Sequence, residues 1–134
     1  MISNIHIRRV LGILLGGFAG VSLCVSILPM VMQMIGVGDQ AAVAYRLSPY
    51  MLQTALVWAA GGWSVTRTAA PLAGSLIMGV VGLASGIILA VYGLHMEAKI
   101  VAAGAFGGLL YGFLGGLILG RILAVPSPAD EDEE

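Results

Sequence analysis

Between Val10 and Val37 the chain carries no charged residue, and three further uncharged stretches follow: Leu47 to Val65, Ala70 to Leu94, and Ile100 to Gly120. A helix rises about 1.5 Å per residue, so roughly 20 such residues cross the hydrocarbon of a bilayer. Without water, backbone groups must bond within their own segment, which selects α-helices for spans of this length. Composition excludes the alternatives. Of 134 residues 59% are hydrophobic and 10% charged, where a soluble domain has about 25% charged. Disordered chains are poor in apolar residues, so disorder is excluded as well.

The expected architecture is an all-α integral membrane protein, a compact bundle of four transmembrane helices. The spans are expected at about 10–37, 47–65, 70–94 and 100–120, after a cytoplasmic stub (1–9) and before an acidic solvated tail (126–134). The first run exceeds a perpendicular crossing, and Pro29 offers a kink because proline removes a backbone donor. A polar connection is expected from Gly38 to Arg46. The second stretch is the weakest, with Ser48, Pro49, Gln53, Thr54 and Ser64, and without it three spans remain. Tyr45, Tyr50 and Trp63 read as interfacial anchors, with Trp58 adding apolar surface. Pro71 suits a first helical turn.

With four spans, Arg8, Arg9, Arg67 and Arg121 fall on one side and Arg46 and Lys99 on the other. The positive-inside bias then places both termini in the cytoplasm, with the four arginines as headgroup and topology anchors. A bacterial inner membrane suits this pattern. Val21-Ser22-Leu23-Cys24 resembles a lipoprotein cleavage signal, but Leu23 stands where a small residue is needed, so no cleavage is expected.

Gly104, Gly108, Gly112, Gly116 and Gly120 recur at every fourth residue of the last span, a slowly drifting stripe on one helix face. Gly12, Gly16 and Gly20 repeat the spacing in the first span, and Gly82 and Gly86 in the third. Stripes without side chains let helix backbones approach closely in lipid. The seams are expected to pair within one bundle, with self-association of the last helix as the alternative.

Chemistry is scarce. Only Asp39 and Glu97 lie outside the terminal acidic run, and no span holds a carboxylate, lysine or histidine near its centre, where proton-coupled transporters place one. Gln53 is the deepest amide and is expected to make an intramembrane polar contact. His95 and Glu97 do not form a metal site, lone Cys24 has no second thiol, and Met30, Met32 and Met34 point to different helix faces. No metal, cofactor or catalytic residue is expected, and a net charge of −1 offers no field for nucleic acid.

In size the chain resembles the small multidrug transporters and the small fluoride channels. The membrane-embedded glutamate of the first, and the asparagine and threonine–phenylalanine motifs of the second, have no counterpart here. The glycine stripe is similar to that of mitochondrial inner-membrane translocase proteins over one helix, and no functional residue carries over. The expected function is a non-enzymatic accessory, scaffold or assembly subunit of a larger membrane complex, contacting lipids and other transmembrane helices. The alternative is a homo-oligomeric channel, facilitator or holin-like pore.

Overall fold

A computed structural model describes residues 4–67, 71–94 and 97–123, all helices and connections. The acidic tail from Pro126 onward and His95 lie outside the described residues. Helix α1 spans Ile5–Ser22. It starts earlier than expected because Asn4 accepts hydrogen bonds from the N–H groups of His6 (2.9 Å) and Ile7 (3.3 Å), satisfying donors a first turn leaves open. Arg8 and Arg9 therefore lie within the helix rather than ahead of it. A wide π turn follows over Leu23–Ile27, then α2 over Leu28–Met34. Pro29 fits this wider turn, since in a regular α-helix its ring would clash with the carbonyl four residues back, that of Val25. Gly36 ends this stretch at φ +80°, a left-handed conformation that glycine adopts without steric cost.

The expected polar connection is instead largely helical. Asp39 caps α3, Gln40–Leu47, by accepting from the Ala42 N–H at 2.7 Å. Pro49 sits in a tighter turn, Ser48–Tyr50, that leads into α4, Met51–Val65. The second expected span is thus a helix of 15 residues, about 22 Å long against about 30 Å of hydrocarbon. Helix α5 covers Pro71–Ile88 and continues through a second π turn, Leu89–Gly93. Helix α6 covers Ala98–Leu123. Among the described residues three helical segments are long and apolar enough to cross a membrane: Ile5–Met34, Leu72–Gly93 and Ala98–Leu123.

These helices form two antiparallel hairpins, α1 with α4 and α5 with α6. In the first, Gly12, Gly16 and Gly20 face Gly62, Trp58 and Thr54 in turn. A Cβ on Gly12 would lie 2.6 Å from the Gly62 oxygen, and one on Gly20 2.9 Å from the Thr54 oxygen. In the second, Gly74, Met78, Gly82 and Gly86 face Gly116, Gly112, Gly108 and Gly104, and a Cβ on Gly104 would lie 2.6 Å from the Gly86 oxygen. Side-chain-free surfaces let backbones meet directly, where dispersion and weak Cα–H···O contacts hold them.

The two hairpins are copies of one plan. Each opens with an α-helix of 18 residues followed by a π turn of 5. At one fixed offset Arg8, Gly12, Gly16, Gly20, Leu23, Cys24 and Leu28 match Gly74, Met78, Gly82, Gly86, Leu89, Ala90 and Leu94, and every one of these positions is buried. On the returning helices Thr54, Trp58, Gly62 and Thr66 match Gly104, Gly108, Gly112 and Gly116, again all buried. Positions four apart drift about 40° per step around an α-helix. A wider turn advances fewer degrees per residue and brings the drifting stripe back onto its partner. The main difference is the longer connection of the first hairpin, which contains α2 and α3. It packs over the end of the second: Arg46 Nη2 donates to the Leu94 carbonyl at 3.4 Å and Tyr50 Oη to the Tyr92 carbonyl at 3.1 Å.

Candidate functional site between the two hairpins

Within each hairpin the contact is backbone on backbone; between them it is made by side chains. Trp58 is the centre of this second interface. Its carbonyl and Cβ lie against Gly16 and Gly20, so α1 fixes the direction in which the indole leaves α4. The ring crosses to the other hairpin, where Nε1–H donates to Ser85 Oγ on α5 at 3.0 Å. Its ring centroid lies 5.5 Å from that of Tyr111 on α6, the planes tilted by 39°, a favourable aromatic geometry. One side chain, 1% exposed, therefore touches all four long helices. Thr54, one turn earlier, donates to its own helix at the Tyr50 carbonyl (2.9 Å) and is the polar neighbour of Cys24. Ser22 is the polar neighbour of Tyr111.

Two clefts flank this cluster. One, of about 140 Å³, lies between α4 and α5 and is lined by Gln53, Thr54, Ser85, Ile88 and their neighbours. The other, of about 400 Å³, lies between α1 and α6, with Phe18, Ala19, Tyr111, Gly115 and Ile118 on its walls and Trp58 at its floor. A Cβ on Gly115 would meet nothing within 4 Å. Both clefts are almost wholly apolar, and among the described residues no group of three or more histidine, cysteine or acidic side chains is placed to hold a metal.

The structure brings together the seam residues and separates the rest. Gly104, Gly108, Gly112 and Gly116 meet α5, where Gly82 and Gly86 are. Gly120 is buried and its Cα lies near Gly74. Gly12, Gly16 and Gly20 meet α4 rather than another of the recognised stripes. Gln53 is exposed on the rim of the smaller cleft, and its side chain makes no hydrogen bond to another described residue. Among the four arginines, Arg121 and Arg67 are exposed, Arg67 with its guanidinium 5.1 Å from the Trp63 ring centroid, and Arg9 is half-buried. Arg8 departs from a headgroup anchor: it is 3% exposed. Continuing the α1–α4 register by one turn places it opposite Thr66, at the C-terminal end of α4, where carbonyls are unsatisfied and a cation is favoured.

Sequence reasoning missed Trp58 as a hub and Gly62 and Gly74 as seam members. A signal was present: Thr54, Trp58, Gly62 and Thr66 repeat at the seam interval. The bulk of tryptophan hid it, because only its backbone and Cβ face the seam. No protein-family model matches the chain, and neither a curated protein nor a solved structure shows significant similarity to it.

Proposed function

We propose that this chain is a four-crossing, non-catalytic scaffold or assembly subunit of a larger membrane complex, acting through lateral helix contacts. One observation carries the reading. The hydrogen-bonded polar side chains of α4 are used up inside the bundle: Trp58 bonds Ser85 across the hairpins, while Thr54, Ser64 and Thr66 bond carbonyls on their own helix, at Tyr50, Ala60 and Trp63. Meanwhile the outward surface is large and apolar, with Leu14, Phe18, Leu52, Leu56, Val80, Phe106 and Ile118 all exposed. Such a surface meets lipid tails or other helices. Solubilisation through a C-terminal affinity tag, followed by native mass measurement, tests this. A stoichiometric partner of different sequence is the expected result; recovery of this chain alone overturns it.

The fourth crossing is supported by the shared plan of the hairpins. Helix α6 carries the chain back along the whole of α5, and α4 stands in the same register against α1. Arg8, Arg9, Arg67 and Arg121 then gather at the end where α1 begins and α6 finishes, opposite Arg46 and Lys99. Positive-inside bias puts that end, with both termini, in the cytoplasm, and a bacterial inner membrane fits. A reporter fused after Glu134 is expected to read as cytoplasmic; an external signal overturns the four-crossing topology.

A second reading, an oligomeric channel, facilitator or holin-like pore, draws on the smaller cleft, where Gln53, Thr54 and Ser85 give some polar lining. Solute flux through liposomes holding only this chain would favour it over the scaffold.

A further inference from the structure

We infer that the furrow between α1 and α4 binds one anionic phospholipid, its phosphate held between Arg9 and Arg67 and an acyl chain lying along the furrow. The inference rests on the four-crossing reading, which puts α4 in the bilayer, and goes beyond it by assigning a ligand to one face. The furrow has a volume of about 380 Å³ and is lined by Ile13 on α1 and by Ala59, Ala60 and Trp63 on α4. It is open because the helices meet backbone to backbone and the side chains along this edge are small. One turn beyond Ile13, a Cβ on Gly17 would lie 3.6 Å from the Ala55 oxygen and 3.8 Å from the Ala59 Cβ.

At the end where α1 begins, the chemistry changes from apolar to cationic. Arg67 holds its guanidinium 5.1 Å from the centroid of the Trp63 ring, which is itself a wall of the furrow. Arg9 lies one turn before Ile13 on the same face of α1. Gly17 stands beside Ala55 and Ala59, and Ile13 shares the furrow with Ala59 and Trp63. The next step of this antiparallel register brings Arg9 to Trp63 and Arg67. Arg67 is exposed and Arg9 half-buried. The only carboxylates among the described residues, Asp39 and Glu97, belong to the opposite end, where α3 and α6 begin.

Two cations thus meet at headgroup depth with no internal anion, and an external one relieves their repulsion. A phosphodiester has two free oxygens that two guanidinium groups can share through charge-assisted hydrogen bonds. The apolar furrow continues from the same point, so the ligand that fills both parts joins a phosphate to hydrocarbon. Free phosphate lacks the chain. A zwitterionic lipid brings its own cation toward the arginines, which selects a headgroup of net negative charge. Anionic lipids are found in the cytoplasmic leaflet, the side to which the positive-inside bias assigns this end.

Trp63 makes the site readable, because bromine on a lipid chain quenches indole fluorescence only near contact. The full chain is placed in phosphatidylcholine vesicles that hold, at equal mole fraction, either phosphatidylglycerol or phosphatidylcholine brominated near the head of its acyl chains. The brominated phosphatidylglycerol is expected to quench several-fold more strongly. Trp63→Phe leaves only the buried Trp58 and removes the difference. With the helical circular-dichroism signal unchanged, Arg9→Gln and Arg67→Gln should each lower the preference about fivefold, the effect of one arginine at a charged surface. Arg9→Lys keeps most of it, and Lys99→Gln at the opposite end keeps all of it. Equal quenching by the two lipids overturns the site and leaves the four-crossing topology standing; the acidic run Asp130 to Glu134 or a partner's carboxylate then takes the arginines. Quenching by neither lipid overturns both, since α4 then lies outside the bilayer. Loss of the preference on adding inorganic phosphate overturns the lipid in favour of a free anion. A loss in Lys99→Gln equal to that in Arg9→Gln overturns the site in favour of general surface charge.

Discussion

Gly112→Leu is expected to abolish monodisperse, folded protein, while Gly115→Leu, three residues further along the same helix, leaves it intact. The two glycines differ only in what surrounds them. A Cβ at Gly112 would run into the Met78 carbonyl and lie 3.2 Å from the Gly82 Cα, both backbone. Backbone has no rotamer to change, so α5 and α6 must separate along their whole seam. Overpacking that side chains absorb costs about 1–3 kcal/mol, and here the cost is larger because the dispersion contacts of the seam go with it. Gly115 faces the open cleft between α1 and α6, with nothing within 4 Å of its Cβ position. Size-exclusion profiles in mild detergent and thermal midpoints distinguish the pair. A Gly112→Leu variant with the parent's profile would sink the close-packed seam.

Trp58→Ala is expected to loosen the two hairpins from each other without separating either one internally. The indole is buried among all four long helices, and large-to-small changes at such positions cost about 3–5 kcal/mol. Trp58→Phe keeps most of the ring contact with Tyr111 and loses the bond to Ser85, about 1 kcal/mol, since the serine hydroxyl can turn to its own helix carbonyls. Unfolding by SDS titration, followed by circular dichroism, should rank parent, phenylalanine and alanine in that order. Equal stability of all three would mean that Trp58 does not join the hairpins.

Much of the fold was legible because lipid imposes simple rules. Uncharged length located three of the helical segments within a few residues, and Gly104 to Gly120 stated their own interval. The boundaries failed where local hydrogen bonding outweighed hydropathy: Asn4 started α1 ahead of its arginines, and Asp39 turned an expected loop into α3. The second helix, α4, is shorter than its uncharged stretch, because hydropathy does not register the turn at Pro49. The site was harder to read. Trp58 acts through two different parts of one residue, its backbone on the seam and its ring across the interface, and residue type alone does not separate them. Arg8 sits where a topology anchor belongs and is buried by the helix end opposite it.

The scarcity of charge over Val10–Val37 and its three successors determined by itself that this chain forms helices suited to a bilayer, because hydrocarbon leaves the backbone few other ways to bond. The glycine interval likewise determined that some helix faces would meet backbone to backbone. Only the tertiary structure decided which faces meet. A stripe of hydrogens accepts any small surface, so pairing α1 with α4 and α5 with α6 depended on register, on the two π turns and on the room left for one indole. The likeness of the two hairpins was hidden for a related reason. Burial agrees at the matched positions, while several of the residues there differ, arginine against glycine and tryptophan against glycine among them.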